Sequence, residues 1–362
     1  MNIFFFVESG LGNSKLLEDQ VNSLIKTNNR VFVGGSCLDQ EPGIAKRLEI
    51  ATGSFFYFNG MDCHSNFFKH CLLLRKTVSL YNIEIIHTQT NWELFLSFLA
   101  VRGLKSKPKI IYTIHAFRNN KGFLKKTIAK FLISILSYVC SDYVIATCHY
   151  IKKQFNILKN KIYILNLGID DEYIYNSYKK VDKGLHIIFP ARFRQGKRQE
   201  LIIIGFANYI NKTHDLESQL VLPGDGENLE KCKKLARELN VSERIDFPGL
   251  CTKEKILNLY DQSNILICSS ISETYCQSIV EGYCLGKCVL STPVGIAPEI
   301  IDDKNSGYIF TTEEELTNLL IMLKLNTSNL QKICENNYNN RFHYSWSSIS
   351  LEYISLLEKI QC

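Results

Sequence analysis

Short apolar runs alternate with longer amphipathic segments along the whole chain, and this alternation restricts the possible folds more than any other feature. Runs of strand length separated by segments of helix length are typical of βαβ units, in which helices cover a mostly parallel sheet. The first half has strand candidates at residues 2–7, 31–34, 54–58, 83–88, 109–114 and 143–147. A second series runs through residues 185–190, 218–223, 245–247, 265–268 and 288–291. The sequence therefore predicts an α/β protein with two doubly wound sheets in tandem.

The length of the chain agrees with two domains, because 362 residues exceed the size that one hydrophobic core usually serves. A polar, tyrosine-rich stretch at residues 170–183 marks the join. We expect an N-terminal domain over residues 1–172 and a C-terminal domain over residues 173–343. The tail, residues 344–362, has apolar residues at helical spacing, among them Trp346, Ile349, Tyr353 and Leu357. This spacing predicts an amphipathic closing helix.

The composition excludes several classes of protein. Apolar residues make up 46% of the chain and charged residues 22%, which is typical of a globular protein. The thirteen cysteines are odd in number, no Cys-x2-Cys pair occurs, and the eight histidines lack zinc-ligand spacing. These features favour reduced thiols in a cytoplasmic protein without a metal site.

Neither the N-terminus nor the apolar stretches indicate membrane insertion. Residues 1–7 are apolar without a basic flank or a cleavage site, so they predict a buried strand and not a signal peptide. The stretch over residues 131–145 is interrupted by three serines and Asp142, and it falls short of a transmembrane span. We expect a protein that is soluble or attached only to a membrane surface.

The net charge of +6 is concentrated in one part of the chain. No acidic residue occurs between Glu93 and Asp142, and this region favours an anionic partner, either a membrane surface or a polyanion. A solvated helix surface is the alternative. The basic residues of this run, Arg102–Lys130, are Arg102, Lys105, Lys107, Lys109, Arg118, Lys121, Lys125, Lys126 and Lys130.

Two glutamates follow the strand candidate at residues 265–268. Glu273 lies in the polar loop after this strand, and Glu281 lies two turns into the next helix. In doubly wound sheets, ligands bind beyond the carboxyl ends of the strands, at the loops that lead into helices. One acid at the mouth of such a site and one within reach of a ribose suit a ligand that carries two hydroxylated sugars.

A basic loop and several glycine turns occupy equivalent places after other strands. Arg192, Arg194, Lys197 and Arg198 follow the strand candidate at residues 185–190, where cations would stabilise negative charge that develops on a ligand. Gly224 and Gly226 follow residues 218–223, where glycine allows close backbone approach, for a ligand or only for a tight turn. In the first half, Gly10 and Gly12 precede a helix whose N-terminus suits a phosphate. A third glycine and an acidic ribose ligand are missing there, which argues against NAD.

Together these segments resemble the retaining glycosyltransferases of family 4, which have the GT-B fold. The spacing of Glu273 and Glu281 matches the Glu-x7-Glu motif of that family, and the segment continues with GKCV at residues 286–289 and TPVGIAPEII at residues 292–301. Residues 166–170, NLGID, resemble the hinge strand of the family. The resemblance extends from Gly10 to the Trp346 tail. It implies two Rossmann-like domains that face a cleft, with the C-terminal helix returning to the N-terminal domain.

The resemblance also implies roles for individual residues. Glu273, Arg192, Lys197 and His115 would be catalytic: Glu273 would contact the donor sugar, Arg192 and Lys197 would stabilise the diphosphate, and His115 would lie near the sugar. Glu281 would hydrogen-bond the nucleotide ribose. The remaining residues implied in donor binding are Gly10, Gly12, Gly224, Gly226, Phe247, Pro248, Gly249, Tyr275 and Cys276.

Two histidines and one departure from the family pattern complete the analysis. His87 ends the strand before His115 and is a weaker candidate for lining the acceptor side, and His149 is interpreted as structural. Many relatives have a Gly-aromatic-Gly run after the first glutamate, where this chain has Thr274, Tyr275 and Cys276. Side chains at these positions affect the sugar pocket, so the identity of the donor is the property that this departure puts in question.

The resulting hypothesis is a retaining glycosyltransferase that uses a nucleoside-diphosphate sugar without a divalent metal or another cofactor. The expected acceptor is a glycan or lipid-linked glycan of surface polysaccharide synthesis. Because apolar residues are interleaved in the basic run Arg102–Lys130, we also expect docking of a cytoplasmic protein on anionic lipid. The alternatives are a nucleotide-sugar epimerase of the same architecture and a non-catalytic binding protein for nucleic acid, although no nucleic-acid partner is expected.

Overall fold

The computed structural model describes residues 1–7, 14–35, 44–53, 55–57, 66–115, 123–180, 183–301 and 305–361. The chain forms two compact units: unit 1 comprises Met1–Gly168 and Trp346–Cys362, and unit 2 comprises Ile169–Ser345. Residues 169–172 and 344–345 thus fall in unit 2, whereas the predicted boundaries placed them elsewhere. The reason is a local contact, in which the Ile169 amide donates to the Tyr344 carbonyl (3.0 Å) and Ile169 pairs with Ser345.

Unit 1 contains a parallel sheet. In the described residues it has seven strands in the order β3-β2-β1-β4-β5-β6-β7. The predicted hinge strand at residues 166–170 is not part of this sheet, because β7 ends before it and Gly168 lies against the indole of Trp346. The strands are β1 Asn2–Val7, β2 Arg30–Gly35, β3 Phe55–Tyr57, β4 Ile85–Thr88, β5 Lys109–Ile114, β6 Tyr143–Ala146 and β7 Ile162–Ile164.

Helices connect these strands. The start of α4 shows why one of them begins where it does: the Thr90 hydroxyl accepts from the Glu93 amide, and the Glu93 carboxylate accepts from the Thr90 amide in return. The helices are α1 Ser14–Ile25, α2 Ile44–Thr52, α3 Phe67–Leu80, α4 Asn91–Ala100, α5 Phe123–Cys140 and α6 His149–Lys152. Among the described residues, no helix has the length and apolarity to cross a membrane.

Unit 2 contains a second parallel sheet, described with six strands in the order β10-β9-β8-β11-β12-β13. The first strand of the unit, β8, lies in the middle, so the chain builds outward on one side of it and then returns to the other. The strands are β8 His186–Ile188, β9 Gln219–Val221, β10 Ile245–Asp246, β11 Ile265–Cys268, β12 Cys288–Ser291 and β13 Gly307–Ile309. The reversal between β8 and β11 is the topological switch point at which such sheets bind ligands.

The helices of unit 2 complete its layers. A short 3₁₀ turn over Gln195–Lys197 follows β8 and leads into α8. The helices are α7 Asp171–Ile174, α8 Gln199–Thr213, α9 Leu229–Glu238, α10 Lys253–Asp261, α11 Gln277–Cys284, α12 Ala297–Ile300, α13 Glu313–Leu325 and α14 Thr327–Asn339.

The last helix, α15 Trp346–Gln361, packs in the core of unit 1. Its buried side chains Ile349, Tyr353 and Leu357 lie among β1 and α1 residues such as Phe5. Fully burying a side chain of this kind contributes about 1.5–3 kcal/mol. The residues nearest the C-terminus therefore stabilise the domain that the N-terminus begins.

His87 belongs to the same core, which corrects its interpretation as an acceptor-side residue. The ring is buried and stacks on Phe5 with centroids 4.8 Å apart. Nδ1 lies 2.8 Å from the Tyr353 hydroxyl and Nε2 lies 2.7 Å from the Thr113 hydroxyl. Burial, with the charge of His115 as a smaller cause, lowers the pKa of His87 to about 3. A neutral histidine with both nitrogens bonded inside the core is structural.

Candidate functional site

The loop after β8 and the loop after β11 are tied together by hydrogen bonds at the carboxyl edge of the unit 2 sheet. The Ser269 hydroxyl donates to the Lys197 carbonyl (2.7 Å), and the Arg198 Nε donates to the Ser269 carbonyl (2.9 Å). The Ile271 amide donates to the Gly196 carbonyl (2.9 Å). These contacts fix the backbone of one loop against the other.

Because the loops are fixed in this way, Lys197 and Glu273 form an ion pair. Lys197 Nζ lies 2.5 Å from Glu273 Oε1, although the two residues are 76 positions apart in the sequence. Their side chains are only 15% and 14% exposed. A lysine and a glutamate that were predicted independently as site residues thus meet at the switch point of the sheet.

Arg192 lies on the same loop as Lys197, and its side chain is exposed. The loop backbone is held by the Gln199 side-chain amide, which donates to the Arg192 carbonyl (3.0 Å). In the described part of the chain, no acidic side chain forms an ion pair with Arg192. Its guanidinium is therefore available to an anionic ligand at this edge.

The turn after β9 needs its glycines for a backbone contact. Gly224 and Gly226 have φ angles of +140° and +146°. A Cβ atom on Gly224 would come within 2.1 Å of the Ala191 carbonyl oxygen, and one on Gly226 within 2.4 Å of the Phe193 carbonyl oxygen. Packing against the Arg192 loop thus accounts for both glycines, in addition to any ligand that they bind.

The loop after β10 borders the same region. The Gly224 amide donates to the Gly249 carbonyl (2.8 Å), and the rings of Phe193 and Phe247 lie 6.1 Å apart. Pro248, which lies between Phe247 and Gly249 in the sequence, is half-buried. The structure therefore places Phe247, Pro248 and Gly249 beside the glycine turn.

Replacing Gly224 with alanine is expected to lower the stability of unit 2 by about 2–4 kcal/mol, because the new Cβ collides with backbone and the φ angle is unfavourable for alanine. Gly196→Ala is the matched control, since a Cβ there meets nothing within 4 Å and its φ angle is not positive. Urea and thermal unfolding of both variants measure the difference. Equal stability of the two variants would contradict the proposed collision.

Tyr275 and Cys276, at the departure from the family pattern, have buried side chains. The Tyr275 carbonyl accepts from the Ile296 amide (2.9 Å). Cys276 has a φ angle of +73° and precedes α11, and its Sγ lies 3.7 Å from Sγ of Cys268. The Cys276 thiol thus packs against the end of β11, so little of either side chain is exposed to a ligand.

Glu281 is half-buried on α11 and accepts a hydrogen bond from the Tyr260 hydroxyl (3.2 Å). Burial raises the pKa of Glu281 to about 7, and the nearby Asp170 carboxylate adds to the rise, while Tyr260 and Lys253 oppose it. Tyr260 packs edge-on against Tyr173 with centroids 6.3 Å apart. The sequence analysis missed both tyrosines, because nothing in their local spacing connects them to Glu281.

The first-half candidates lie in unit 1. His115 follows β5, and its Nε2 is buried without a hydrogen-bond partner among the described residues. Burial lowers the pKa of His115 to about 4, so the ring is neutral at pH 7. Gly10 and Gly12 lie outside the described residues. Over the described ranges, no group of three or more His, Cys, Asp or Glu side chains is arranged to hold a metal ion.

Comparison with known proteins identifies the family. The profile described as Glycosyltransferase Family 4 matches residues 15–173, and the profile described as Glycosyl transferases group 1 matches residues 170–341. An uncharacterized glycosyltransferase of Methanocaldococcus jannaschii is 27% identical over 79% of this chain and 78% of its own length. The alpha-monoglucosyldiacylglycerol synthase of Streptococcus pneumoniae is 22% identical over 82% of this chain and 73% of its own length.

A solved structure shows the same fold over the whole chain. The Anabaena protein HepE in complex with UDP superposes with a TM-score of 0.80 at 17% identity, covering 99% of this chain and 100% of its own. With the two family matches, this likeness confirms the predicted GT-B fold. The chain belongs to the family 4 glycosyltransferases.

Proposed function

We propose that the enzyme transfers a sugar from a nucleoside-diphosphate sugar to a glycan or lipid-linked acceptor, with retention of the anomeric configuration. The observation that carries this proposal is the Lys197–Glu273 ion pair on the same loop as Arg192, whose exposed guanidinium has no acidic partner among the described residues. Two cations at this edge suit the diphosphate, and a carboxylate suits the hydroxyl groups of the transferred sugar.

The donor proposed first is a UDP-sugar. HepE, which shares the fold, was solved in complexes with UDP and with UDP-glucose. The lipid-linked acceptor is supported by the S. pneumoniae relative, whose name describes a glucosylated diacylglycerol. Glu281 beside Tyr260 is proposed to bind the ribose, because its carboxylate is positioned on the helix that follows the Glu273 loop.

The proposed chemistry uses no metal. As the bond between the sugar and the diphosphate breaks, negative charge grows on the leaving phosphate. Lys197 and Arg192 stabilise that charge, which is the role that a divalent ion has in other transferases. The acceptor oxygen bonds to the anomeric carbon on the face from which the phosphate departs, and its proton passes to the leaving phosphate, so the configuration is retained.

The test begins with thermal-shift measurements of the protein with UDP-, GDP-, ADP- and CMP-sugars. The stabilising donor is then incubated with EDTA and candidate acceptors, and the anomer of the product is determined by NMR. We expect a retained anomer and full activity with EDTA. An inverted product or a strict metal requirement would overturn the mechanism. Conversion of the donor sugar without any acceptor would instead favour the epimerase, and nucleic-acid binding without donor binding would favour a non-catalytic protein.

Binding of UDP is expected to weaken by about tenfold between pH 8 and pH 6, because ribose hydroxyls donate to the ionised form of Glu281. The pKa of this carboxyl is raised to about 7, so the ionised fraction falls over this window as pH falls. Calorimetry at several pH values measures the dissociation constant. In Glu281→Gln, the dissociation constant of UDP should vary with pH only through the titration of the UDP phosphates. If the dissociation constant had the same pH dependence in the wild type and in Glu281→Gln, Glu281 would be excluded from ribose binding.

A further inference from the structure

Helix α5 of unit 1 has its polar and apolar residues on unexpected sides. Ser134, Ser137 and Cys140 are buried against the unit. Six large apolar side chains on the same helix are between 42% and 59% exposed. These residues, called the α5 apolar face below, are Ile128, Phe131, Leu132, Ile135, Tyr138 and Val139.

The α5 apolar face is continuous, since its residues recur at intervals of three and four and therefore lie on one side of the helix. The 3₁₀ turn Asn156–Leu158 packs against α5 and adds Ile157, which is 53% exposed. A helix with small polar residues inside and large apolar residues outside loses stability in water. Contiguous exposed apolar surface of this kind marks a docking surface.

The charges around the face indicate what docks on it. Lys161 Nζ donates to the Tyr138 carbonyl (2.8 Å) and lies 4.7 Å from the centre of the Tyr138 ring. Lys159, directly after the adjacent turn, is exposed. No acidic residue occurs between Glu93 and Asp142 in the sequence, so α5 itself carries none. Apolar residues with lysines at their border and no acid on the helix itself match an anionic lipid surface, in which the lysines contact headgroups.

A second copy of the chain fits this surface less well. A symmetric pair of α5 helices would bring the lysines of both copies together without acids to neutralise them. An anionic bilayer neutralises them. Since α5 contains three lysines and does not qualify as a membrane-spanning helix, it would lie in the plane of the interface.

We propose that the α5 apolar face inserts into the headgroup region of an anionic bilayer and holds the enzyme at the surface that supplies its acceptor. The identity of that acceptor rests on the proposed function, whereas the docking itself does not. In this proposal the apolar side chains provide the anchor, and Lys159 and Lys161 at the border of the face select the charge of the lipid.

The test compares binding of the full chain to phosphatidylcholine vesicles with and without phosphatidylglycerol, by co-sedimentation. Leu132→Gln/Ile135→Gln is expected to lower the partition coefficient by roughly ten- to hundredfold, because two half-exposed aliphatic side chains no longer enter lipid. Leu325→Gln/Leu351→Gln is the matched control, since both leucines are exposed and lie on other helices. It should leave binding unchanged, and both variants should keep the thermal midpoint of the wild type.

Three results would overturn the proposal: no binding of the wild type, equal binding with and without phosphatidylglycerol, or equal weakening by both double variants. Sedimentation equilibrium tests whether a second copy of the chain covers the α5 apolar face. A dimer of the wild type that dissociates only in Leu132→Gln/Ile135→Gln would also overturn the proposal. UDP binding separates this proposal from the proposed function. If the wild type binds UDP but not the vesicles, docking alone is contradicted, and if it binds vesicles but no donor, the glycosyl transfer is contradicted.

Discussion

Lys197→Ala is expected to lower kcat by about 10²–10³-fold, the loss found when one preorganised group that stabilises transition-state charge is removed. Lys197 carries a cation at the switch point of the unit 2 sheet, and its side chain is held by Glu273. Because the positive charge acts most strongly as the diphosphate leaves, the effect should fall on kcat more than on KM. Single-turnover kinetics with the donor identified by thermal shift measure this step.

Lys231→Ala is the matched control for this experiment. Lys231 also pairs with a glutamate of unit 2, Glu200, but its side chain is 71% exposed. Its removal should change kcat by less than twofold, because an exposed pair contributes about 0–1 kcal/mol and Lys231 lies on α9, outside the β8 and β11 loops. If Lys197→Ala and Lys231→Ala had the same activity, the role of Lys197 in stabilising the leaving diphosphate would be wrong.

Glu273→Gln is expected to lower kcat/KM by about 10²-fold. Glutamine keeps the size of the side chain but weakens its hydrogen bonds to sugar hydroxyls and removes the charge that positions Lys197. The double variant Lys197→Ala/Glu273→Gln should lose less activity than the two single variants predict together, because each change already breaks the same ion pair. Activity assays and UDP calorimetry on all four proteins measure this coupling.

Activity and UDP affinity together show whether Glu273→Gln affects sugar transfer or the binding of the nucleotide. Glu273→Gln should leave the affinity for UDP within about threefold of the wild type, since its proposed contact is with the sugar and not with the nucleotide. Strict additivity of the two substitutions, or a large loss of UDP affinity in Glu273→Gln, would show that the carboxylate does not act with Lys197 on the transferred sugar. Nucleic-acid binding unaffected by Glu273→Gln together with no sugar transfer would favour the non-catalytic alternative.

The candidate site depends on both loops because one supplies its positive charges and the other its negative charge. The strand β8 loop brings Lys197 and Arg192, and the strand β11 loop brings Glu273. Ser269 and Arg198 fix the two backbones with hydrogen bonds of 2.7 and 2.9 Å. A preorganised pair of this kind needs no rearrangement when charge develops, which is the condition for strong electrostatic stabilisation.

Much of the fold follows from local sequence. The alternation of apolar and amphipathic segments predicted parallel sheets in two units, and the comparison with known structures confirms the GT-B fold. Strand β1 occupies Asn2–Val7, the residues predicted, because residues 3–7 form a continuous apolar run. The strands β7 and β13 were not predicted, because segments of this length are too short to show a periodic pattern.

By itself, the sequence predicted two parallel sheets with most of their strands, the loops that reach the carboxyl edge of the unit 2 sheet and the family to which the chain belongs. Only the tertiary structure decided that Lys197 pairs with Glu273, that Tyr260 bonds Glu281, that His87 is a core residue and that α5 turns its apolar face outward. The physical reason is that periodicity and turn chemistry act between neighbours in the chain, whereas ion pairs, burial and pKa shifts depend on residues that only folding brings together.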